Sequence, residues 1–231
     1  MTFHTPKDRA AAVVASLKEV YPHALCALEW GGHLGTYTYE EMLRDSWKLL
    51  IMARLSAQCT DARVNIVCRE LFARYTTPAQ VAEADITELE AIIRPCGLFH
   101  TKAESIKAAC AILVRDYNGI VPNDMDALLA MPGVGRKIAN LLRGDIFKEP
   151  GIIADTHCIR ICGRLGFYDE TIKDPLKVEN IMSSIMNPRE QSDFCHRIVQ
   201  FGRDVCSARA PACDRCPLAH TCAKYRREHQ P

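Results

Sequence analysis

The sequence predicts an all-α protein made of helices joined by short loops. Apolar residues recur at helical spacing through most of the chain, whereas the alternating pattern of a half-buried strand is hard to find. Residues that cap helices precede most of these apolar stretches. The 231 residues are enough to bury one large core or two smaller ones.

Threonine side chains mark the first three predicted helix starts. Thr38–Glu41 has the sequence of a capping box and opens a helix with an apolar stripe. Thr60 or Asp61 starts the next helix, and Thr77–Pro78 starts the third with proline at the first helical position. That third helix is predicted to continue to a break at 95–97, which contains a proline and a glycine.

Further helices are predicted in the second half of the chain. A long helix through Ile106 and Leu113 stops at Asn118–Gly119, because both residue types accept a left-handed backbone. Asn123 starts a helix that is predicted to end at Met131. The remaining predicted starts, which share an aspartate or a serine before an apolar pattern, are Asp155, Asp174–Pro175, and Ser192 or Asp193.

Charge is distributed unevenly, although the formal net charge is only +1. The segment 133–143 carries three basic residues and no acid, whereas the segment 79–91 carries four acids and no base. The whole molecule is therefore no polycation, but a polyanionic partner is expected to meet one face and to be repelled by another.

Nothing in the sequence indicates secretion or membrane insertion. The N-terminal segment MTFHTPKDRA carries charges and lacks the apolar core of a signal peptide. The longest apolar stretch, Ala108–Val114, is too short to cross a bilayer. We therefore expect a soluble, cytoplasmic protein, and a monomer because no oligomer signal is present.

Four of the twelve cysteines crowd the C-terminal region and predict a metal site. Cys206, Cys213, Cys216 and Cys222 follow the pattern C-x6-C-x2-C-x5-C. Tetrahedral zinc usually takes two close pairs, and only one close pair exists here. A [4Fe–4S] cluster also takes four thiolates and tolerates wider spacing, so the spacing favours iron–sulfur modestly and leaves zinc open. The other eight cysteines are interpreted as small buried apolar residues.

A glycine-rich turn in the stretch MPGVGRKIANLL predicts a helix–hairpin–helix unit. Gly133 and Gly135 are expected to take positive φ and to allow a close approach to the backbone. The amides of such a turn, with the N-terminus of the following helix, form an anion site that fits a DNA phosphate. A short turn of this kind is common, so by itself it is weak evidence.

Lys137 and Asp155 are the candidate reactive residues. Lys137 is predicted on the first turn of a helix, where a cation opposes the helix dipole. Either a phosphate contact offsets that cost, or the unfavourable field helps release the proton and leaves an amine that can attack carbon. Asp155 is a predicted N-cap, where helix amides keep a carboxylate ionised, and capping alone is the simpler interpretation.

Taken together, these residues resemble the endonuclease III family within the helix–hairpin–helix DNA glycosylase superfamily. The resemblance implies two all-α domains with the active site in the cleft between them. It places residues 39–149 in a six-helix domain with the hairpin, and 1–38 with 150–231 in a discontinuous domain that holds a [4Fe–4S] cluster at 206–222. The matching motifs are SAQCTD at 56–61, GLFHTKA at 97–103, MPGVGRKIAN at 131–140, ADTH at 154–157 and the cysteine pattern.

The resemblance implies a base-excision-repair glycosylase that also cleaves the strand. Such an enzyme extrudes a damaged base from the stack of duplex DNA. Lys137 is then expected to attack the anomeric carbon and hold the sugar as a Schiff base, while Asp155 stabilises positive charge on the sugar. β-Elimination follows, and oxidised pyrimidines are the expected substrates. A mismatch-directed glycosylase of the same superfamily, and a non-catalytic redox-sensing DNA-binding protein, remain as alternatives.

The resemblance also implies residues that contact double-stranded DNA containing damaged bases or AP sites, in a protein associated with the nucleoid. Gln58 and Leu98 match residues that fill the gap left by the flipped base. Basic residues of the cysteine loop are expected to face phosphate. The candidate phosphate contacts are Gly133, Val134, Gly135 and Arg136 in the hairpin, and Arg209 and Arg215 in the loop.

Four features depart from the family pattern. Cys59 stands where alanine is usual, and Ile138 stands where many relatives carry threonine. Arg143–Asp145 is unusually charged for the end of a helix, and the connection 29–38 is longer than the family needs. None of these departures affects Lys137 or Asp155, whereas Arg143 and the connection 29–38 are expected to influence the range of substrates.

Overall fold

The computed structural model describes residues 5–23, 25–32 and 35–229, and within these ranges it contains helices and short 3-10 turns but no strand. The predicted all-α class is therefore confirmed. In chain order the helices are α1 (Pro6–Val20), α2 (Tyr39–Leu55), α3 (Asp61–Arg74), α4 (Pro78–Glu83), α5 (Ile86–Ile93), α6 (Phe99–Tyr117), α7 (Met125–Leu129), α8 (Arg136–Phe147), α9 (Thr156–Leu165), α10 (Pro175–Ile185), α11 (Gln191–Asp204) and α12 (Ala223–His229).

The chain divides into two compact units. The continuous unit comprises Cys26–Lys148, and the discontinuous unit comprises Met1–Leu25 together with Glu149–Pro231. The sequence placed the first boundary at residue 38 instead. The structure assigns residues 26–38 to the continuous unit because Leu28 and Trp30 are buried in its core.

Helix α2 lies at the centre of the continuous unit. Its residues Leu49–Met52 are almost completely buried, on every side of the helix, as expected for a helix surrounded by protein. It packs against α3, α6 and α8.

The predicted capping box at the start of α2 is present, since the Thr38 side chain accepts from the Glu41 N–H and the Glu41 carboxylate accepts from the Thr38 N–H. The connection before α2 is anchored by Tyr37, whose hydroxyl donates to Asp45 at 3.2 Å, while residues 33 and 34 lie outside the described ranges.

Several predicted helix bounds differ from those observed. The helix predicted from Thr77 is interrupted, because the Asp85 carboxylate accepts from two amides and starts α5. Helix α7 begins after Asp124 rather than Asn123 and ends before Met131. Helix α11 follows a 3-10 turn at Pro188–Glu190 directly, so Ser192 and Asp193 lie inside its first turn.

The discontinuous unit joins the N-terminal helix to the C-terminal helices. Helix α1, which is outside the predicted set, begins with a capping box between Thr5 and Asp8. The side chain of Arg197 on α11 is buried and donates to the Tyr21 carbonyl at 2.9 Å, which ties the end of the α1 segment to α11. Among the described residues, no helix combines the length and the apolar character that a membrane span requires.

Candidate active site and nucleic-acid interface

The hairpin between α7 and α8 requires glycine at position 133. Gly133 has φ of 78°, a conformation that other residues adopt at a cost. A Cβ atom there would lie 2.4 Å from Nε of Arg54, whose Nε–H donates to Ser105 Oγ at 2.8 Å. The turn is further held by Val134, which is buried and donates its N–H to the Met131 carbonyl. Packing and backbone conformation thus both fix this turn.

Gly135 differs from the prediction, because its φ of −103° is open to any residue. The expectation of positive φ holds for Gly133 and is wrong for Gly135. A Cβ atom at Gly135 would meet no described atom within 4 Å, and no described side chain caps the N-terminus of α8. The start of α8 thus has no side-chain cap, and the space around the Gly135 Cβ position is open, an arrangement that suits an anion.

The two glycines should respond differently to alanine. Gly133→Ala is expected to lower the free energy of unfolding by about 1–3 kcal/mol, because of positive φ and the contact with Arg54. Gly135→Ala should change it by less than about 1 kcal/mol. Thermal unfolding of both variants measures this contrast, and equal losses would contradict this account of the turn.

Lys137 is an exposed primary amine on the first turn of α8. It follows Arg136, the first residue of the helix, which is also exposed. The helix is anchored beneath them by Ala139, Asn140 and Leu142, which are buried. The hairpin therefore presents two basic side chains and an uncapped helix start at one surface of the continuous unit.

Asp155 belongs to the discontinuous unit and is the N-cap of α9. Its Oδ1 accepts from the Cys158 N–H at 2.7 Å, and its own N–H donates to the Ile153 carbonyl at 2.8 Å. The segment before it is buried from Gly151 to Ala154, so the backbone of Asp155 is held from both sides. The predicted N-cap is present, with the carboxylate half-buried.

Three buried thiols lie behind Asp155. Cys158 is hydrogen-bonded to Cys162 and to Cys195, and the Ile153 N–H donates to Cys195 Sγ at 3.2 Å. The hydrogen bond to Cys162 is the largest cause of the raised pKa of Cys158, and the bond to Cys158 is the largest cause of the raised pKa of Cys195. Burial raises both pKa values further. The raised pKa values keep the thiols of Cys158 and Cys195 protonated.

Gln58 and Leu98 share an unusual backbone conformation that the sequence did not reveal. Both have positive φ, 56° and 50°, without being glycine, and such residues often mark functional sites. Both are exposed, and 58% of the surface of Leu98 is accessible. An exposed leucine held in a strained conformation is poorly explained by packing, so both positions fit a contact with an external partner.

A buried lysine holds the loops that carry these two residues. Lys102 is fully buried, and its Nζ donates to the Leu55 carbonyl at 2.8 Å and to the Cys96 carbonyl at 2.9 Å. Burial lowers its pKa. Residue 55 ends α2 just before Gln58, and residue 96 ends the turn before Leu98. One ammonium group therefore fixes both loops.

The four C-terminal cysteines converge on one cavity of the discontinuous unit. Cys206, Cys213, Cys216 and Cys222 all line it, with apolar side chains from α9 and α11 completing the wall. The Arg164 guanidinium donates to Cys206 Sγ at 3.4 Å. Backbone N–H groups donate to Cys216 and to Cys222, and burial raises the pKa of Cys216 to about 11 and also raises that of Cys222. Thiols within reach of N–H donors are a donor set suited to a metal centre.

The distances between the four Sγ atoms can be compared with those around a single zinc ion. Thiolates on one tetrahedral zinc ion lie about 3.8 Å apart, given Zn–S bonds of about 2.3 Å. Among the described residues, no three of the four cysteines bring their Sγ atoms within 4.8 Å of one another. The four sulfurs are thus less tightly grouped in this structure than the ligands of one zinc ion. Of the other eight cysteines, all are buried as predicted except Cys59, which is half-buried.

The two arginines predicted in the cysteine loop are exposed. Arg215 donates to the Asp204 carbonyl at 2.7 Å, which holds its stem against the end of α11. Arg209 follows the segment 207–208, whose carbonyls accept from Arg164. The structure thus places both guanidinium groups at the surface of this loop.

Residues 51–188 match the model of the HhH-GPD superfamily base excision DNA repair proteins, which defines the class of this protein. Endonuclease III of Synechocystis sp. is 37% identical over 217 residues, covering 94% of this chain and 92% of that protein. A trapped covalent intermediate of endonuclease III with DNA matches with a TM-score of 0.84 and 37% identity over the whole of both chains. The chain belongs to the endonuclease III family.

A thermostable thymine-DNA glycosylase also matches, with a TM-score of 0.81 over 95% of this chain and 97% of that one. Its identity is only 20%, so this likeness concerns the fold alone. The endonuclease III relatives reported above are thus more than 30% identical to this chain, whereas the thymine-DNA glycosylase shares only its architecture.

Proposed function

We propose that this protein is a bifunctional DNA N-glycosylase and AP lyase that acts as a monomer on oxidised pyrimidines in duplex DNA. The observation that carries the proposal is the exposed amine of Lys137 on the first turn of α8, beside an uncapped helix N-terminus. An amine at that position can reach a sugar whose phosphate lies on the helix amides. The covalent endonuclease III–DNA intermediate among the similar structures supports this chemistry.

In the proposed reaction, the Lys137 amine attacks the anomeric carbon and the C–N bond to the base breaks. The base leaves with the bonding electrons and takes up a proton. The sugar ring then opens to give an imine to Lys137, a C2′ proton is removed, and the C–O bond to the 3′ phosphate breaks. The amine acts both as nucleophile and as electron sink, so one residue supports base release and strand cleavage.

Asp155 is proposed to supply a negative charge that stabilises the positively charged sugar. The sugar becomes positively charged as the base departs, and a fixed carboxylate lowers the energy of that state. The Cys158 amide holds Oδ1 of Asp155, which fixes the orientation of the carboxylate without neutralising it. We propose that the same carboxylate assists the proton transfers that follow.

DNA is proposed to bind through phosphates and to be wedged by two side chains. The amides of α8 and of the Gly133–Arg136 turn take a backbone phosphate, and Arg209 and Arg215 take others. Gln58 and Leu98 enter the stack where the damaged base has left, since both side chains are exposed on loops that Lys102 holds in place. The burial of Val134 keeps the turn rigid while it bears the phosphate.

We propose that the four clustered cysteines hold a [4Fe–4S] cluster rather than zinc. The wide spacing of their sulfurs and the N–H groups that donate to them support this choice. When bound, the cluster shapes the loop that carries Arg209 and Arg215. A brown protein with broad visible absorption is expected, and a colourless protein with stoichiometric zinc would overturn the assignment.

Cys213→Ser is expected to reduce soluble yield and DNA affinity more than it reduces the chemical step of bound complexes, because the cluster supports a loop and no reaction step. Single-turnover rates at saturating enzyme, beside binding curves, separate the two effects. Asp214→Ser, a change at the exposed neighbour in the same turn, is the control. A selective loss of the chemical step with normal affinity would contradict the structural role.

The substrate assignment is tested with duplexes that each carry one defined lesion, incubated with and without borohydride. We expect base release, strand cleavage and a borohydride-trapped adduct on oxidised pyrimidines. A clear preference for a thymine mispair would instead assign the protein to the mismatch-directed glycosylases. Tight, salt-sensitive binding without any base release would instead support a non-catalytic DNA-binding protein.

A further inference from the structure

We propose that Cys59 and Cys96 are a redox modification site, at which a peroxide converts the two thiols into a reversible disulfide that joins the Gln58 loop to the Leu98 loop. The loops that carry them are adjacent, because the Lys102 Nζ donates to the carbonyls of Leu55 and Cys96, and the nearby Cys59 thiol raises the pKa of Cys96. They come from different loops of the continuous unit, one after α2 and one at the end of the turn that precedes α6. The effect on DNA rests on the function proposed above, whereas the disulfide itself does not.

Exposure gives the two thiols different parts in the reaction. Cys59 is the one cysteine outside the C-terminal cluster that is not buried, so a small oxidant can reach it. Cys96 is only 3% exposed, and burial raises its pKa to about 11. Cys59 is therefore the thiol that meets the oxidant, and Cys96 is the resolving thiol that attacks it afterwards.

Residues around the two thiols hold their loops side by side, whether or not the thiols are bonded. Lys102 donates to carbonyls of both loops, so the loops stay adjacent when either thiol changes state. The positive charges of Lys102 and Arg63 act on Cys96 and favour its thiolate at the moment of attack. Cys68 is the alternative resolving thiol, but the causes of its raised pKa include no nearby cation, whereas Lys102 and Arg63 act on Cys96.

The chemistry balances with the peroxide as the only oxidant. The Cys59 sulfur attacks the O–O bond of hydrogen peroxide, becomes a sulfenic acid and releases one water. The Cys96 sulfur then attacks the Cys59 sulfur, the S–O bond breaks, and the hydroxyl leaves as a second water with the Cys96 proton. Two electrons pass from the thiols to the peroxide, and a dithiol reductant reverses the modification.

The new bond changes the spacing of the loops. A disulfide holds its sulfurs about 2.05 Å apart, which is much closer than two thiols without a bond between them can lie. Gln58 is adjacent to Cys59 and Leu98 lies two residues after Cys96, so we expect a backbone movement that brings the two sulfurs together to displace both exposed side chains. A displacement of about 1 Å in a positioning residue is enough to weaken a contact substantially.

The disulfide is tested by mass spectrometry on the full-length protein treated with hydrogen peroxide. Trypsin separates Cys59 on peptide 55–63 from Cys96 on peptide 75–102, because Arg94 precedes a proline and is not cleaved. We expect a cross-link of these two peptides that dithiothreitol removes. It should be absent in Cys59→Ala and retained in Cys110→Ala, whose thiol is buried in the same unit. Sulfinic or sulfonic acid on Cys59 without the cross-link, or cross-links that do not join Cys59 to Cys96, would overturn the proposal.

The consequence is tested by binding to a duplex that contains a tetrahydrofuran abasic analogue. Oxidised wild-type protein is expected to bind about threefold or more weakly than reduced protein. Cys59→Ala treated in the same way is the control for effects of peroxide on the other cysteines. Its affinity for the duplex should be the same before and after oxidation. Equal loss in both proteins overturns the switch. A cross-link that forms in a protein lacking lyase activity would leave the modification site standing while the proposed function fails.

Discussion

Lys137→Ala is expected to abolish the borohydride-trapped adduct and to reduce strand cleavage by about 10³-fold or more, because no other group replaces a covalent nucleophile. The side chain is exposed on the first turn of α8, so its removal should leave the fold intact. Gel analysis of trapped complexes on a duplex with one oxidised pyrimidine measures the loss. Thermal unfolding of the same samples shows that the fold is unchanged.

Lys177→Ala is the matched control for that experiment. Lys177 is also an exposed lysine on the first turn of a helix, α10, and it lies in the other unit. We expect this variant to form adducts at the wild-type rate. If Lys137→Ala traps as well as the control does, then the amine acts only as a phosphate contact and the lyase assignment is wrong.

Asp155→Asn is expected to lower the rate of base release by about 10²–10³-fold while DNA binding is retained, because the amide preserves shape and loses charge. Asparagine is as good an N-cap as aspartate, so the bond to the Cys158 N–H survives and the free energy of unfolding should change by less than about 1 kcal/mol. Single-turnover kinetics with excess enzyme, beside equilibrium binding, separates the two quantities.

The control for Asp155→Asn is Asp174→Asn in the same unit. Asp174 caps α10 through an Oδ1 that accepts from the Lys177 N–H at 2.8 Å, so it has the same local role without the proposed chemistry. Base release by this variant should match the wild type. Equal rates in both variants would mean that Asp155 only caps its helix.

Much of the fold follows from local signals. The capping residues Thr38, Thr60, Thr77, Asp155 and Asp174 each begin a helix as predicted, since these side chains satisfy amides that a helix leaves open. The sequence missed the interruption between α4 and α5, because the pattern of the segment continues through it.

The continuous unit of the structure begins at Cys26, whereas the sequence predicts a boundary at residue 38, and tertiary contacts explain this difference. Leu28 and Trp30 precede the first predicted helix by several residues, and nothing local tells which core will bury them. The Asn65 side chain accepts from the Glu29 N–H and donates to the Ala27 carbonyl, which fixes this segment against α3. Such long-range bonds leave no periodic trace in a sequence.

The candidate site also contains some residues that the sequence predicts and others that only the structure reveals. Lys137, Asp155 and the four cysteines are visible in the sequence because their chemistry depends on residue type and spacing. The left-handed backbone of Gln58 and Leu98 is invisible, since neither residue type favours it. Lys102 is also invisible, because lysine is almost never fully buried and its two carbonyl partners are far apart in the chain.

That buried ammonium group has a thermodynamic consequence for recognition. Because Lys102 binds carbonyls of both loops, neither loop can open without leaving a desolvated charge. Gln58 and Leu98 are thus ordered when the chain folds, and on the proposed function we expect little further entropy to be lost when they contact a duplex. Preorganisation of this kind leaves more of the contact energy of the two side chains available for binding.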